Sequence, residues 1–319
     1  TNIKRKAKRL EEKWRQEIHD GKHHIGKIKT LTIEEAADRY FQTAIQPKNS
    51  REKTKKSERS CLNVIVRTFS PKTRIDAIQS SDIARWRDQM LLNGAAPATV
   101  NRYLASLRAI LNRAQSEWTA LKIMPKFHLL PLQNNRCRFL SQEEEKRILE
   151  VSKSHLRSLI IILVDTGARL SEALDLWWDS VDLDSANKAS ITLLRTKNGQ
   201  PRRIPLTSRA TKLLSGLREA RKDLNQPVFL YHAPGTPEPV PFRNPHRAWK
   251  TALRESGIDE SVRIHDLRHT FASRLVSEGV PIFDVSKLLG HKRITMTMRY
   301  AHLAPVAFES AIEKLENLS

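Results

Sequence analysis

Residues 121–138, LKIMPKFHLLPLQNNRCR, carry two prolines and no sustained hydrophobic period, and just beyond them Ser141 and Glu144 stand at capping-box spacing. Proline removes a backbone donor and pushes its predecessor out of the helical region. Ser-x-x-Glu does the opposite, because it satisfies the free N–H groups at a helix start. A linker followed at once by a helix start divides the chain into two folding units. Its 319 residues are enough for two cores.

The first unit reads as helices alone. Thr32 and Glu35 form another capping box ahead of AADRYFQTA. A second helix is predicted from Lys55 to Phe69, stopped near Pro71, and Ser81 or Asp82 caps a third, DIARWRDQMLL, which ends at Asn93-Gly94. From about Thr99 a fourth helix places Val100, Tyr103, Leu104, Leu107 and Leu111 on one face. Residues 31–120 thus form a compact helical domain. Residues 1–30 are a basic segment with a narrow apolar stripe, Leu10 and Trp14, too thin to be a domain.

Residues 139–319 are mixed. Helical RSLIIILVDTG leads into LSEALDL, and strands are expected at SITLLR and RRIPL, joined through Lys197-Asn198-Gly199, where Asn-Gly signals a hairpin turn. VFLYH reads as a strand, Trp177-Trp178 as half-buried strand core, and the remainder as helices. Phe308, Ala311, Ile312 and Leu315 lie at helical spacing on a tail helix. The fold class is mainly α with a small β-sheet, an all-helical domain followed by an α+β domain.

Fifty-six Lys and Arg against 35 Asp and Glu give a formal net charge of +21. Such a surplus repels itself and calls for a polyanion; nucleic acid fits, because each neutralised phosphate also releases counterions. No apolar run approaches a membrane span, and the early charges argue against a secretory signal. Cys61 and Cys137 form no CxxC, so neither a disulfide framework nor cysteine-bound zinc is expected. A cytoplasmic protein acting on DNA is the expectation.

Arg169 lies in TGARLSEAL; His265 and Arg268 stand three apart in HDLRHTFAS; His291 follows Gly290 in LLGH; Tyr300 lies nine residues beyond, in RYAH. In one continuous helix His291 and Tyr300 would be about half a turn out of phase. Gly290 and the following KRIT suggest a break, with Thr295 capping a short helix that carries Tyr300. On spacing alone Tyr300 is either a packed aromatic or a nucleophile.

Taken in order, TGARLSEAL, the hairpin lysine, HxxR, LLGH and the tyrosine of RYAH resemble the tyrosine recombinase family, bacteriophage integrases above all. The resemblance covers residues 31–319, and ATVNRYLASLRAILNRA resembles the family's core-binding domain. It implies an all-helical core-binding domain at 31–120, a linker at 121–138 and a catalytic domain at 139–319. It also implies that Arg169 and Arg268 bind the scissile phosphate with His265 and His291, that Glu172 orients Arg169, that Lys197 acts from the hairpin, and that Tyr300 attacks. Neither metal nor cofactor would then be needed. Lys53, Lys55, Lys56, Arg59, Asn101, Arg102, Arg108, Arg202 and Arg203 are candidate DNA contacts. The implied partner is double-stranded DNA with defined recombination sites, bound by a homotetramer, with a host DNA-bending factor as a possible helper. Residues 1–29 resemble the connector that follows a further N-terminal domain in larger phage integrases.

The chemistry suits these residues. Guanidinium forks match two non-bridging oxygens, and one well-placed donor contributes roughly 3 kcal/mol to such a transition state. Only about one tyrosine in a thousand is ionised at pH 7, so a base must take its proton. His265 is one candidate, with His269 read as structural packing and His302 as a support for the nucleophile helix. Two other readings share the fold: a DNA-binding protein that cuts nothing, and a type IB topoisomerase-like nicking-closing enzyme. A metal-dependent nuclease would need clustered carboxylates, and of Asp165, Glu172 and Asp175 the second already has a role beside Arg169; a His/Lys ribonuclease would leave Tyr300 without a role.

Overall fold

The computed structural model describes residues 2–19, 30–48, 52–132, 138–184, 188–194, 201–221, 223–233, 235–305 and 316. The chain divides into two compact units, residues 1–134 and 135–319.

In the first unit, α1 (Asn2–His19) precedes α2 (Ile33–Tyr40), which widens into a π turn through Ile45; α3 (Glu52–Phe69), α4 (Ser80–Leu92) and α5 (Pro97–Ser116) follow. Helix α5 is central. Its Val100, Leu104, Leu107, Ile110 and Leu111 are fully buried, and α2, α3 and α4 all pack on it. The Thr32 box is present, with the Glu35 carboxylate accepting the Thr32 N–H at 2.8 Å. Two starts differ from expectation. Helix α4 begins at Ser80, because Asp82 accepts the N–H of Gln79 and makes Gln79 the cap. Helix α5 begins at Pro97, where a missing N–H costs nothing in a first turn. Trp14 on α1 is largely exposed.

The stretch read as a linker is ordered over its first part. Residues 121–132 carry no helical period because they lie over the core as a strap: Leu121 is buried, and Met124, Phe127 and Leu130 pack beside it. Asn101 fixes the strap, donating to the Leu130 carbonyl and accepting its N–H, both at 2.8 Å.

The second unit runs α6 (Gln142–Val151), α7 (Ser154–Thr166), α8 (Leu170–Leu174), β1 (Val181–Asp182), β2 (Ser190–Leu193), β3 (Arg202–Pro205), α9 (Ser208–Glu219), β4 (Leu230–Tyr231), β5 (Val240–Pro241), α10 (His246–Glu255), α11 (Asp266–Ser277) and α12 (Ile282–Leu289). Two short 3-10 turns follow, Ile294–Met296 and Met298–Leu303. The Ser141 box opens α6 as expected. Helix α7 is buried almost all round, which its unbroken LIIILV requires, and it packs against α9 and α11. Strands β1–β2–β3 form an antiparallel sheet with Leu193 opposite Arg202; the Lys197 turn between β2 and β3 lies outside the described residues, as do Cys137 and the tail positions Phe308, Ala311, Ile312 and Leu315. Trp177-Trp178 is not a strand. Trp178 turns into a buried 3-10 turn while Trp177 stays more than a third exposed beside Pro227. The fold is mostly helical with a small antiparallel sheet, and among the described residues no helix is long and apolar enough to cross a membrane.

Candidate active site

Three sharp chain reversals in the second unit converge on one cluster. The first ends α7 at Gly167, which has φ +61°, and a Cβ there would lie 2.3 Å from the Phe271 ring. Only glycine fits. The chain then delivers Arg169 to the start of α8. The second reversal ends α12 at Gly290, with φ +64°, where a Cβ would lie 2.9 Å from the Arg202 guanidinium. It turns His291 back toward α11. The third is the pair of 3-10 turns that carries Tyr300. The break expected after Leu289 is therefore present, but Tyr300 rides on a 3-10 turn and not on an α-helix capped by Thr295.

Glu172 is the anchor of the cluster. Its carboxylate accepts from the Arg169 N–H at 2.9 Å and from the Arg169 guanidinium at 2.8 Å. It also accepts two bonds from Arg202, at 2.7 and 3.2 Å. Burial raises its pKa, but the bonds from Arg202 and Arg169 outweigh that and hold it at about 2. Arg169 also reaches the Gly290 carbonyl at 3.4 Å. Arg268, 3% exposed, donates to the Gly167 carbonyl at 2.6 Å and the Leu289 carbonyl at 2.5 Å. One guanidinium thus ties two of the reversals together. Burial, then the charges of Arg169 and Arg202, push its pKa down to about 9.

His291 Nδ1 bonds the hydroxyl of buried Thr297 at 2.8 Å, which fixes the ring and leaves Nε2 as its other polar atom. Its pKa falls to about 3 through burial and the charges of Arg268, Arg169, Arg299 and Arg202. Tyr300 is 2% exposed, and its hydroxyl is hydrogen-bonded to Nδ1 of His269. His265 caps the start of α11 and reaches solvent; desolvation and then Arg268 lower its pKa. Burial is the first cause of the shifts of Arg268, His291 and His265, and the neighbouring cations add to it. Several cations surround one anchored carboxylate, leaving a deficit of negative charge that an anion would fill.

The structure brings together Arg169, Glu172, His265, Arg268, His291 and Tyr300. Lys197 lies outside the described residues. Three readings are corrected. Arg202 is not a free DNA contact: it is mostly buried, spent on Glu172 and on the Leu288 carbonyl at 3.0 Å. His269 is not mere packing, since it touches the Tyr300 hydroxyl. His302, read as a support for the nucleophile helix, is exposed. The signal for His269 was available: four residues after His265 puts it on the same face of α11, one turn on.

Asn101 is also corrected, because the strap occupies both ends of its amide. Among the other proposed contacts, Arg59 pairs with Asp38 at 2.5 Å and Arg102 bonds Ser57 at 2.8 Å. Arg203 bonds Ser190 at 2.7 Å and Asp182 at 3.0 Å, and Lys55 lies 3.5 Å from Glu52. Lys53, Lys56 and Arg108 are exposed. The carboxylates considered for a metal are held apart by separate partners, Glu172 by Arg169 and Arg202, Asp165 by Arg209, and Asp175 by Arg243. Among the described residues no cluster of three or more potential metal ligands is present.

Fold and site define a class: a helical unit followed by an α+β unit in which an arginine-rich anion cradle adjoins a shielded tyrosine. The sequence pattern of the phage integrase family matches residues 138–306, and that of the phage integrase N-terminal SAM-like domain matches residues 37–117. The chain belongs to the phage integrase family. It is 33% identical over 219 residues to the integrase of Salmonella phage P22, covering 66% of this chain and 55% of that protein. It is 29% identical over 291 residues to a shufflon-specific DNA recombinase of Escherichia coli, covering 87% of this chain and 70% of that protein. Several of the curated phage relatives are matched over less than two thirds of their length, as with 60% of the Escherichia phage 186 integrase. Among solved structures, the Tn1549 transposon integrase in complex with a circular intermediate DNA shares the fold, with TM-score 0.71 and 20% identity over 90% of this chain and 100% of that one. A lambda integrase dimer bound to a core site does likewise, with TM-score 0.69 and 20% identity over 85% of this chain and 95% of that one.

Proposed function

We propose that this chain is a site-specific DNA recombinase that cuts and rejoins strands through a 3′-phosphotyrosine, with neither metal nor ATP. One observation carries the reading: Arg169 and Arg268, fixed by Glu172 and by backbone carbonyls, lie in one cation-rich cluster with His291 and the shielded Tyr300. A scissile phosphate supplies the charge this cluster lacks. The two guanidiniums and the free nitrogen of His291 hold its non-bridging oxygens, and their pull grows as charge builds on those oxygens in the transition state. Tyr300 Oη forms a bond to phosphorus, and the bond to the 5′ oxygen breaks. Lys197 at the hairpin is proposed to protonate that oxygen as it leaves. The ester keeps the bond energy, so a 5′ hydroxyl from a partner duplex reverses the attack and exchanges strands.

Support also comes from relatives named as integrases and recombinases and from a solved neighbour described as a lambda integrase tetramer bound to a Holliday junction. A homotetramer on double-stranded DNA, with the exposed Lys53, Lys56 and Arg108 among its phosphate contacts, extends the same proposal. The test is a DNA duplex nicked beside the cleavage position, so that religation fails, incubated without added metal. Candidate sites come from DNA flanking the coding region. Wild type is expected to form a covalent adduct and Tyr300→Phe none. Specific binding with no adduct from either would point to a non-cutting DNA-binding protein. An adduct without exchange between two defined sites would point to a nicking-closing enzyme.

A further inference from the structure

The proposed mechanism leaves two histidines of the cluster without a role, His265 and His269. His269 sits on α11 one turn after His265, with the two rings 5.3 Å apart at 84°, and the Tyr300 ring lies 5.7 Å beyond. The hydrogen bond between His269 Nδ1 and the Tyr300 hydroxyl joins the two half-buried to buried groups directly. In the tautomer with the proton on Nε2, Nδ1 accepts the phenolic hydrogen along that bond.

We infer that His269 is the catalytic base of the strand-cutting step, taking the Tyr300 proton as the phenolate oxygen bonds to phosphorus. The assignment rests on the phosphotyrosine reading and deepens it. The step balances: the proton passes from Tyr300 Oη to His269 Nδ1, the Oη–P bond forms, the P–O5′ bond breaks, and the general acid protonates the departing oxygen. Reversal returns the proton from the imidazolium to the tyrosine oxygen. His265 lies one ring further from Tyr300, at the exposed helix cap.

The surroundings add a condition. Charged and titratable groups facing His269 are His265, Asp266 and Arg268 on α11, and Arg299 with Tyr300 on the last turn. Burial, then His265, Arg299 and Arg268 against a raising contribution from Asp266, hold its pKa at about 4 in the empty site. It is neutral at pH 7, so its lone pair is available, yet it is a weak base while the cations stand unopposed. A phosphate seated between Arg169 and Arg268 offsets them and strengthens the base. Proton transfer from Tyr300 is thereby coupled to substrate being in place.

The experiment compares wild type, Tyr300→Phe, His265→Gln, His269→Ala and His269→Asn in single-turnover adduct formation across pH. Two nicked duplexes are used, one natural and one with sulfur replacing the bridging 5′ oxygen, whose thiolate leaves without a proton. His269→Asn keeps a polar partner near the Nδ1 position but cannot take a proton. Both His269 variants are expected to slow cutting by about 10²- to 10⁴-fold, the usual span for a lost base, while DNA affinity stays near wild type. Sulfur should not relieve the loss, and the residual rate should climb roughly tenfold per pH unit as hydroxide replaces the base. Near-wild-type cutting by His269→Asn, or full recovery with sulfur, would overturn the assignment. If wild type makes no adduct on either duplex, the phosphotyrosine reading falls and this one with it. If Tyr300→Phe alone is inactive, only the His269 assignment falls.

Discussion

The two units solve the problem of so many arginines in opposite ways. In the helical unit Arg59 and Arg102 stay near the surface beside carboxylates, Asp38 and Glu58, over an apolar core around α5. In the second unit Arg202 and Arg268 go inside, with Arg169 close to the surface, and backbone carbonyls and one carboxylate hold them. Exposed pairs contribute little, about 0–1 kcal/mol, because water and salt screen them. Buried guanidiniums are costly to place and costly to lose. The first unit can therefore vary its charges one at a time, whereas the second behaves as one interlocked object.

The comparison breaks most readily at Glu172. Its removal leaves Arg169 and Arg202 without their anion, and breaking a buried pair of this kind costs about 3–5 kcal/mol. Leu107→Ala in the fully buried face of α5 should cost a similar amount, roughly 2–5 kcal/mol, by leaving a cavity. Acid separates the two mechanisms. The folded pKa of Glu172 is depressed, so its contribution is present above the unfolded value near 4.5 and is lost as pH falls toward about 2. Urea unfolding should show the Glu172→Gln deficit shrinking over that window, while the Leu107→Ala deficit holds. A Glu172→Gln deficit independent of pH would remove the charge argument.

A somewhat smaller loss is expected for Gly290→Ala. Its φ of +64° costs an alanine about 1–2 kcal/mol, and the new methyl group must displace Arg202. Adduct formation should fall more than DNA binding, because Arg169 and His291 flank the displaced turn. Equal losses would indicate general unfolding instead.

Histidine titration gives a local version of the same contrast. His291 and His269 have folded pKa values depressed to about 3 and about 4. Their neutral burial stabilises the fold above the unfolded value near 6.5, and that stability drains as pH falls through these values. Hydrogen exchange at pH 7 and pH 5 should show α11, α12 and the Tyr300 turn losing protection relative to α5. Uniform loss across both units would contradict a local cause.

The sequence was legible where one physical rule acts locally. Capping boxes at Thr32 and Ser141 and the apolar face of α5 were readable because side-chain spacing alone decides them. The strap over residues 121–132 was not readable as ordered, because its apolar residues answer to a core made elsewhere. At the site, the motif order pointed to Arg169, His265, Arg268, His291 and Tyr300. It could not separate an arginine aimed at DNA from one aimed inward: Arg202 and Arg203 are neighbours on β3, and strand alternation sends them to opposite sides. The same holds for His265 and His269, whose different partners depend on where a turn 31 residues later comes to rest.

The smallest expected effect tests the surface half of the comparison. Arg108 is exposed on α5, at the flank of the buried stripe that holds Leu107 and Leu111. As a surface residue away from caps and core, Arg108→Ala should alter unfolding free energy by no more than about 0.5 kcal/mol. If the residue sits on a phosphate in the complex, the slope of log affinity against log salt should drop by about one, with the same change on specific and unrelated duplexes. An unchanged slope would place Arg108 in solvent. A change confined to one DNA sequence would mean that this helix reads bases, giving the first unit residues as individually indispensable as those around Glu172.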